Sequence, residues 1–346
     1  MKICLINNLF PPYSRGGAEK VAYQMAHDLS LDNDIFIITS KPKTPELGSN
    51  QEFKTFYLKS SFYNIGKKNV LIRLFWHFKN IFSFSWYHQI LKILEEQKPD
   101  LVITHNLMGI GFMTSQAIKL SGARHHHFLH DIQLLHPSGL MMYNKENKLD
   151  NLAAKLYQFL TRKIISSPHL IISPSIWLLQ EHKKRNFFPS SETKIQPFTN
   201  NNTIKETNHY KKELTKLLFA GQVESHKGII FLLNSFLQLA TPNMILKIAG
   251  SGTLLEKAKK IAKDDKRIIF LGNLNKQELE KEMKQSDALI VPSLCYENSP
   301  LIISEARNLG LLVIASRIGG IPEAIGKNDK LFTPNSAQDL FLKIKG

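Results

Sequence analysis

The stretch PSLCYENSPLIISE, residues 292–305, places two glutamates, a proline and a helix start directly after a predicted strand. The preceding run Ala288–Pro292 is apolar with β-branched members, which is typical of a buried parallel strand. Ser299 suits an N-cap and Pro300 the first helical position, so we predict a helix that begins there and ends at Gly310. The order strand, loop and helix predicts an α/β fold with this loop at the carboxyl end of a parallel sheet.

The start of this predicted helix favours a pyrophosphate. The first amides of a helix lack partners within it, so the N–H groups of Leu301 and Ile302 are expected to face an anion. Carboxylates that pointed at a pyrophosphate would repel it, and Glu297 and Glu305 are therefore expected to accept hydrogen bonds from sugar and ribose hydroxyls. The same pair also fits two solvated charges beside a capped helix, and the pair alone does not decide between these interpretations.

Length and composition indicate a globular protein that attracts anions. The 346 residues are enough for two domains of ordinary size, and 43% of them are hydrophobic. The 45 lysines and arginines exceed the 29 aspartates and glutamates, which gives a formal net charge of +16. Nucleic acid, anionic lipid and phosphorylated ligands all suit this charge. The sequence has no zinc-finger spacing and no aromatic RNA-binding motif, so nucleic acid is not an expected partner.

The cysteines and the N-terminus favour a cytoplasmic location. Cys4 and Cys295 lie in or beside predicted buried strands and do not form a C-x-x-C pair. The apolar residues before Asn7 are too few for a signal-peptide core, and no apolar run approaches the length of a membrane span. We therefore expect a reduced cytoplasmic protein whose contact with the inner face of a membrane is at most peripheral.

The first half of the sequence begins with a strand, a glycine-containing loop and a helix. The strand is predicted at 2–6, and Gly16 and Gly17 precede a helix at about 18–29. Glycines there allow close backbone approach of a ligand, but a plain βα turn explains the loop equally well. The loop lacks G-x-G-x-x-G, which argues against a dinucleotide.

The second half repeats this α/β pattern after a polar linker at 200–210. We place the domain boundary in that linker, so that residues 1–205 and 206–346 form two Rossmann-like domains. Lys227 and Gly228 then open the first helix of the second domain. A lysine at that point can neutralise a pyrophosphate and help a nucleotide to leave.

Residues 67–96 are rich in both aromatic and basic side chains. We predict one or two helices there, with Arg73, Lys79 and His88 interspersed among apolar residues. Helices of this composition can lie at a membrane interface or cover an acceptor groove, and they can equally be core helices with an ordinary apolar face. These interpretations stay open.

The histidine-rich run Arg124–Asp131 is predicted to form a strand, with His130 and Asp131 at its carboxyl end. Adjacent strand residues point to opposite faces and no carboxylates nearby complete a ligand set, so a metal site is not expected there. The D-x-D sequence Asp32–Asp34 suits a turn. His130 ends the strand, where a neutral imidazole can donate to a sugar hydroxyl or accept a proton; a structural histidine is the alternative. We expect neither a metal nor another cofactor.

Several of these stretches, taken in order, resemble glycosyltransferase family 4, whose GT-B fold has two Rossmann-like doubly wound domains facing a cleft. The segment 292–305 is similar to the family's E-x7-E motif. This resemblance implies that Glu297 contacts the transferred sugar and that Glu305 contacts the nucleotide ribose. Further donor contacts are expected from Ser299, Leu301 and Ile302.

The second half carries two more features of the family. Gly221 and Lys227 match the G-R-x-x-x-x-K-G pattern that binds the diphosphate, although Gln222 stands where the family has arginine. The strand that ends at Leu271 and Gly272 resembles the edge that reads the nucleobase through backbone groups. The replacement at Gln222 puts one phosphate contact, and with it full activity, in doubt.

The remaining matches are shorter. The P-x-x-x-x-G-G-A-E sequence around Gly16 and Gly17 resembles the family's loop facing donor phosphate and acceptor. Residues 317–323 match its G-G-x-x-E turn, and His130 resembles its histidine at the edge of the active site. The resemblance implies that His130, Lys227 and Glu297 take part in catalysis.

The function that follows from the resemblance is metal-independent glycosyl transfer with retention of anomeric configuration. The donor would be a nucleoside-diphosphate sugar. The positive charge and the composition of residues 67–96 favour a glycan or lipid-linked acceptor in cell-surface polysaccharide synthesis, with those residues as a candidate for a peripheral membrane contact. A nucleotide-sugar epimerase is one alternative. A catalytically weak nucleotide-sugar-binding protein is another, since Gln222 departs from the motif and the sequence stops soon after 331–334.

Overall fold

The protein is described here from a computed structural model covering residues 1–13, 16–41, 52–60, 69–198, 214–239, 241–263 and 265–345. The chain divides into two compact units, one of Met1–Leu140 with Asn147–Gln196 and the other of Met141–Glu146 with Pro197–Gly346. The domain boundary predicted between residues 205 and 206 lies outside the described residues.

The first unit contains one parallel sheet. Its strands are β1 (Lys2–Ile6), β2 (Asp34–Lys41), β3 (Lys54–Lys59), β4 (Leu101–Thr104), β5 (Arg124–Phe128), β6 (Leu170–Ser173) and β7 (Glu192–Ile195). They are ordered β3-β2-β1-β4-β5-β6-β7. The central strands β1 and β4 are almost wholly buried because helices cover both faces of a parallel sheet, whereas the edge strand β7 is exposed throughout.

The helices of the first unit are α1 (Gly17–Ser30), α2 (Val70–Ile81), α3 (Phe84–Gln97), α4 (Thr114–Ser121), α5 (Leu152–Ile165) and α6 (Ile176–Lys183). One or two helices were predicted in residues 67–96, and the described residues of that segment form two, α2 and α3. α2 begins after Asn69, whose side chain accepts a hydrogen bond from the Ile72 amide over 2.9 Å. α3 buries Trp86, Ile90 and Leu94 at helical spacing and packs against α4, so it has an ordinary apolar core face.

The second unit contains another parallel sheet. Its strands are β8 (Lys216–Ala220), β9 (Ile245–Ala249), β10 (Ile268–Gly272), β11 (Ala288–Val291), β12 (Leu312–Ser316) and β13 (Lys330–Phe332), and they are ordered β10-β9-β8-β11-β12-β13. Its helices are α7 (Ile229–Leu237), α8 (Leu255–Ala262), α9 (Lys276–Lys284), α10 (Leu301–Asn308), α11 (Ile321–Ala324) and α12 (Ala337–Lys345). Leu217 and Phe219 lie in one apolar core and Leu218 in another. Successive side chains of a strand point to opposite faces of the sheet, and both faces of this sheet are covered.

The strand orders fix where ligands can bind. In each sheet the order reverses once, between β1 and β4 in the first unit and between β8 and β11 in the second. Ligands of doubly wound sheets bind at the carboxyl ends of the strands next to such a reversal. The predicted α/β class with doubly wound sheets is confirmed. Among the residues described, no helix has both the length and the apolar character needed to cross a membrane.

Candidate functional site

The loops after β8 and β11 bring Lys227 and Glu297 together in the second unit. Their strands are neighbours at the reversal of strand order, although the two residues are 70 positions apart. Lys227 Nζ donates a hydrogen bond to Glu297 Oε2 over 2.7 Å, and Ser293 Oγ donates to Oε1 of the same carboxylate. Two of the predicted site residues thus form one partly buried ion pair, and Ser293, which the sequence analysis did not select, belongs to it.

The electrostatics of this pair favour two charged groups. Burial raises the pKa of Glu297, but the charge of Lys227 and the hydrogen bonds from Lys227 and Ser293 outweigh burial and hold the pKa below its ordinary value. For Lys227 burial lowers the pKa, and the attraction of Glu297 raises it above its ordinary value. Burial and the charge of Lys227 both lower the pKa of His226. The site therefore holds a carboxylate, an ammonium and a neutral imidazole.

Close backbone contact holds these two loops in place. A Cβ atom added to Gly228, whose φ is +73°, would lie 1.8 Å from the carbonyl oxygen of Pro292. The amide of Leu294 donates to the carbonyl oxygen of His226 over 2.9 Å. A glycine is therefore required after Lys227, because any side chain would push the two loops apart.

The glycine turn after β12 holds the backbone of Glu297. The amide of Gly320 donates to the Glu297 carbonyl oxygen over 2.7 Å. A Cβ atom on Gly319 would lie 2.3 Å from that oxygen, and Gly319 has a φ of +60°. The G-G-x-x-E sequence thus has a local physical role, which is to let the turn approach the Glu297 loop.

Four more of the predicted residues lie at the carboxyl ends of β8 and β10: Gly221, Gln222, Leu271 and Gly272. A Cβ atom on Gly250 would lie 1.9 Å from the carbonyl oxygen of Gly221, and the Gly250 amide donates to the Gly272 carbonyl oxygen over 2.7 Å. Gln222 is exposed beside Gly221, while Leu271 and Gly272 are half-buried. The three strand ends are thus joined by backbone contacts through glycines.

The helix that follows Glu297 starts one residue later than predicted. α10 begins at Leu301 with Pro300 in the cap position, so Ser299 is not the N-cap, and the cap has no side-chain hydrogen bond. Pro300 has an extended ψ of 117°, which excludes it from the first helical turn. Leu301, Ile302 and Glu305 are half-buried.

A short segment from the first half of the sequence belongs to the second unit and supports this loop. Met142 pairs with Cys295 in an antiparallel bridge, and the Tyr143 amide donates to the Leu294 carbonyl oxygen over 2.9 Å. The hydroxyl of Tyr296 donates to Glu146 over 2.8 Å. The segment Met141–Glu146 therefore acts as a partner strand for the residues just before Glu297, which no local sequence pattern indicated.

In the first unit, Gly16 and Gly17 lie at the start of α1. The Gly16 amide donates to the Glu19 carboxylate over 2.7 Å, and Glu19 is buried. Gly16 is extended, with a φ of −158°, a conformation open to any residue. Burial raises the pKa of the Asp131 carboxyl to about 6, and the charge of Glu19 acts in the same direction.

His130 contacts another histidine that the sequence analysis did not select. Nδ1 of His105, at the carboxyl end of β4, lies 2.7 Å from Nε2 of His130, and the His105 ring stacks on Phe128 with centroids 5.3 Å apart. Burial lowers the pKa of His130 to about 3 and that of His105 well below its ordinary value. Both rings are neutral near pH 7. The signal for His105 was its position at the end of a strand beside the reversal of strand order.

Two histidines of β5 share one structural partner. Nε2 of His125 and Nδ1 of His127 each lie 2.8 Å from the hydroxyl oxygen of Thr104. Within the parts of the chain that are described, no group of three histidine, cysteine, aspartate or glutamate side chains has an arrangement that could hold a metal ion.

Comparison with known proteins identifies two family matches. Residues 15–197 match the family described as Glycosyltransferase Family 4, and residues 200–345 match the one described as Glycosyl transferases group 1. The chain is 27% identical over 339 residues to an uncharacterized 42.6 kDa protein in the cps region of Klebsiella pneumoniae, covering 93% of this chain and 87% of that protein. It is 24% identical over 342 residues to the lipopolysaccharide 1,2-N-acetylglucosaminetransferase of Salmonella typhimurium, covering 91% and 79%.

Solved structures share the fold across the chain. Sucrose-phosphate synthase from Thermosynechococcus elongatus has a TM-score of 0.70 at 17% identity, covering 99% of this chain and 88% of that structure. Anabaena Alr3699/HepE, solved in complex with UDP-glucose, has a TM-score of 0.67 at 15% identity, covering 99% and 88%. With a family match over more than half of its residues and the GT-B fold, the chain belongs to glycosyltransferase family 4 and is a glycosyltransferase.

Proposed function

We propose that the protein transfers a sugar from a nucleoside-diphosphate sugar to a glycan or lipid-linked acceptor in cell-surface polysaccharide synthesis. The transfer would retain anomeric configuration, need no metal ion and take place in the cytoplasm. The observation that carries the proposal is the Lys227–Glu297 pair at the strand reversal of the second sheet, just before α10. The relatives from a capsule region and from lipopolysaccharide synthesis support the acceptor class.

The leaving diphosphate would be stabilised from two directions. The first amides of α10, those of Leu301 and Ile302, carry partial positive charge at the helix N-terminus, and Lys227 supplies a full charge. Lys227 Nζ donates one hydrogen bond to Glu297, and a phosphate oxygen would accept from another of the three N–H donors of the ammonium group. Glu297 keeps the lysine charged and orients it.

The donor would be held along the strand ends of the second unit. Glu297 would accept a hydrogen bond from the sugar and Glu305 one from the ribose, while Leu271 and Gly272 would face the base through their backbones. Gly221 and Gln222 would lie along the diphosphate, and Ser299 precedes the helix that binds it. In the first unit, Gly16, Gly17 and His130 would contact the sugar or the acceptor.

The chemical step needs no covalent enzyme intermediate in this proposal. The acceptor oxygen attacks the anomeric carbon from the face that the diphosphate leaves, the bond from that carbon to the phosphate oxygen breaks, and the acceptor proton passes to the departing phosphate oxygen. Lys227 and the α10 amides stabilise the negative charge that grows on the diphosphate. The UDP-glucose bound to the Anabaena structure makes a UDP-sugar the first donor to test.

A nucleotide-sugar-binding protein with weak turnover is the second candidate. It rests on Gln222, an exposed neutral residue where the family motif carries an arginine on the diphosphate. Gln222→Arg distinguishes the two candidates. An efficient transferase changes little with this substitution, whereas a weak one gains turnover.

Calorimetry with UDP-, GDP- and ADP-glucose tests the proposal. We expect saturable micromolar binding of one nucleotide class and at least tenfold weaker binding by Glu305→Ala, because a lost charged hydrogen bond is worth about 1.5–3 kcal/mol. Glu256→Ala, on the exposed side of α8, is the matched control and should bind as the unmodified protein does. If none of the nucleotides binds, the proposed site is wrong. Product stereochemistry by NMR and activity in EDTA test retention and metal independence.

A further inference from the structure

The surface of the first unit exposes apolar side chains on two helices from distant parts of the sequence. On α2, Leu71 is 77% exposed and Phe75 71%, and Ile72 and Phe78 are also exposed. Their spacing of three to four residues puts them on one stripe of the helix. Trp76 and Ile81 are buried on the other side. α2 is thus packed by one face and leaves a second apolar face in solvent.

α5 has the same arrangement. Leu152 is 85% exposed, Leu156 60%, and Phe159 is exposed as well, at positions separated by four and three residues. Thr161 and Ile165 are buried on the opposite side. α2 and α5 contact each other, so the two stripes lie on neighbouring helices. We call the exposed residues of α2 and α5 the two-helix face.

The charge of the two-helix face has a single sign. Neither helix contains an aspartate or a glutamate, and their charged residues are Arg73, Lys79, Lys155, Arg162 and Lys163. All but Arg162 are exposed. Several large apolar side chains exposed on two neighbouring helices indicate an interaction site, and the cations among them favour an anionic partner.

We propose that the two-helix face docks on an anionic phospholipid bilayer. Apolar side chains on one face with lysines and arginines around them are what an interfacial helix presents to lipid, where acyl chains accept the leucines and phenylalanines and headgroups accept the cations. If the partner were a second copy of this chain using the same face, the lysines and arginines of the two copies would repel each other. The proposal replaces the predicted contact segment 67–96 by α2 together with α5, because α3 buries its apolar face.

The structure also decides which substitutions test the proposal. Trp76 is buried, so replacing it would damage the fold rather than the surface. Leu152→Ser with Leu156→Ser changes only exposed positions on α5, the helix outside the segment that the sequence analysis selected. Leu31→Ser with Leu342→Ser is the matched control, since both leucines are exposed away from α2 and α5, Leu31 directly after α1 and Leu342 on α12.

The experiment is co-sedimentation of the full chain with vesicles of phosphatidylcholine alone and of phosphatidylcholine with phosphatidylglycerol. We expect binding to the anionic vesicles only, weakened several-fold by 0.5 M salt and about tenfold or more by Leu152→Ser with Leu156→Ser or by Phe75→Ser with Phe78→Ser. Lys155→Glu with Lys163→Glu should weaken it similarly. The control pair should sediment as the unmodified protein does.

The proposal is overturned if the α5 pair and the control pair sediment equally, or if anionic vesicles do not bind the chain. It is also overturned if analytical ultracentrifugation without lipid shows a dimer that the α5 substitutions dissociate. Circular dichroism checks that each variant is folded. Nucleotide-sugar calorimetry on the same variants separates this proposal from the enzymatic one, since loss of vesicle binding with intact nucleotide binding concerns the surface alone.

Discussion

The imidazoles of His105 and His130 share one hydrogen bond, with Nδ1 of His105 2.7 Å from Nε2 of His130. Both rings are neutral near pH 7, so one must donate and the other accept. Nε2 of His105 is buried and has no hydrogen-bond partner among the described residues. A buried N–H group that donates no hydrogen bond is rarer in proteins than a buried acceptor that receives none. We infer that His105 donates from Nδ1 and that His130 accepts on Nε2.

This arrangement predicts that His130 carries its proton on Nδ1 near pH 7 and that its Nε2 accepts the hydrogen bond from His105. ¹⁵N NMR of histidine-labelled protein at pH 7 reports the protonated nitrogen directly, with His130→Gln to assign the signal. His105→Asn places an amide donor near the former Nδ1 and should preserve the tautomer. His105→Leu should yield a mixture, and a proton on Nε2 of His130 in the unmodified protein would contradict the inference.

Lys227 and Glu297 should contribute to stability as a coupled pair. Glu297→Leu leaves a partly buried ammonium unpaired, and removing one partner of such a pair costs about 3 kcal/mol. The double variant Lys227→Met with Glu297→Leu should recover part of that loss, because no lone charge remains. Urea unfolding measures the free energy of unfolding of the single and the double variant. Lys92→Ala, which breaks an exposed pair with Glu96, should leave the midpoint unchanged, and additive effects of the two site substitutions would disprove the coupling.

Acid should destabilise the fold through its buried histidines. Burial lowers the pKa of His125 and His130 to about 3 and that of His182 to about 4. In the unfolded chain the histidine pKa is about 6.5, so below that pH the unfolded chain binds protons that the folded protein does not. The free energy of unfolding is therefore unaffected by these histidines above pH 6.5 and falls by about 1.4 kcal/mol per histidine for each pH unit below it. Asp131 opposes this trend, since its raised folded pKa favours the folded state on acidification.

The check is the free energy of unfolding between pH 7 and pH 5. His182→Leu should make the fall in unfolding free energy shallower, because the unfolded variant takes up about one proton fewer. If His182→Leu leaves the slope of unfolding free energy against pH unchanged, His182 does not contribute to the loss of stability in acid.

Gly228→Ala should disrupt the site far more than Gly122→Ala, although both glycines have a φ near +75°. Alanine at Gly122 meets no atom within 4 Å and carries only the conformational penalty, about 1 kcal/mol. Alanine at Gly228 must displace the Pro292 carbonyl, and with it the loop of Glu297. Thermal unfolding and nucleotide calorimetry should show a larger loss of both for Gly228→Ala, and equal losses would refute the steric explanation.

The sequence was sufficient for features that depend on local pattern. Apolar runs predicted the parallel strands, and the loops after β8 and β11 were selected because they carry Lys227 and Glu297. The Lys227–Glu297 ion pair was not predicted, since only the strand order brings these loops together. The cap of α10 was misplaced by one residue because Ser299 and Pro300 both suit a helix start. His105 and the exposed face of α5 depend on packing that no single segment encodes.

The segment Met141–Glu146 limits how the halves of this protein can be exchanged with those of relatives. It lies in the first half of the sequence but pairs with the residues that lead to Glu297, through Met142 and Cys295 and through Tyr296 and Glu146. A chimera joined only in the linker would seat a foreign donor loop against this chain's own strand. The second unit is therefore encoded by two separate stretches of the sequence. If this unit binds the donor as proposed, donor specificity should transfer intact only when these six residues are grafted along with the second half.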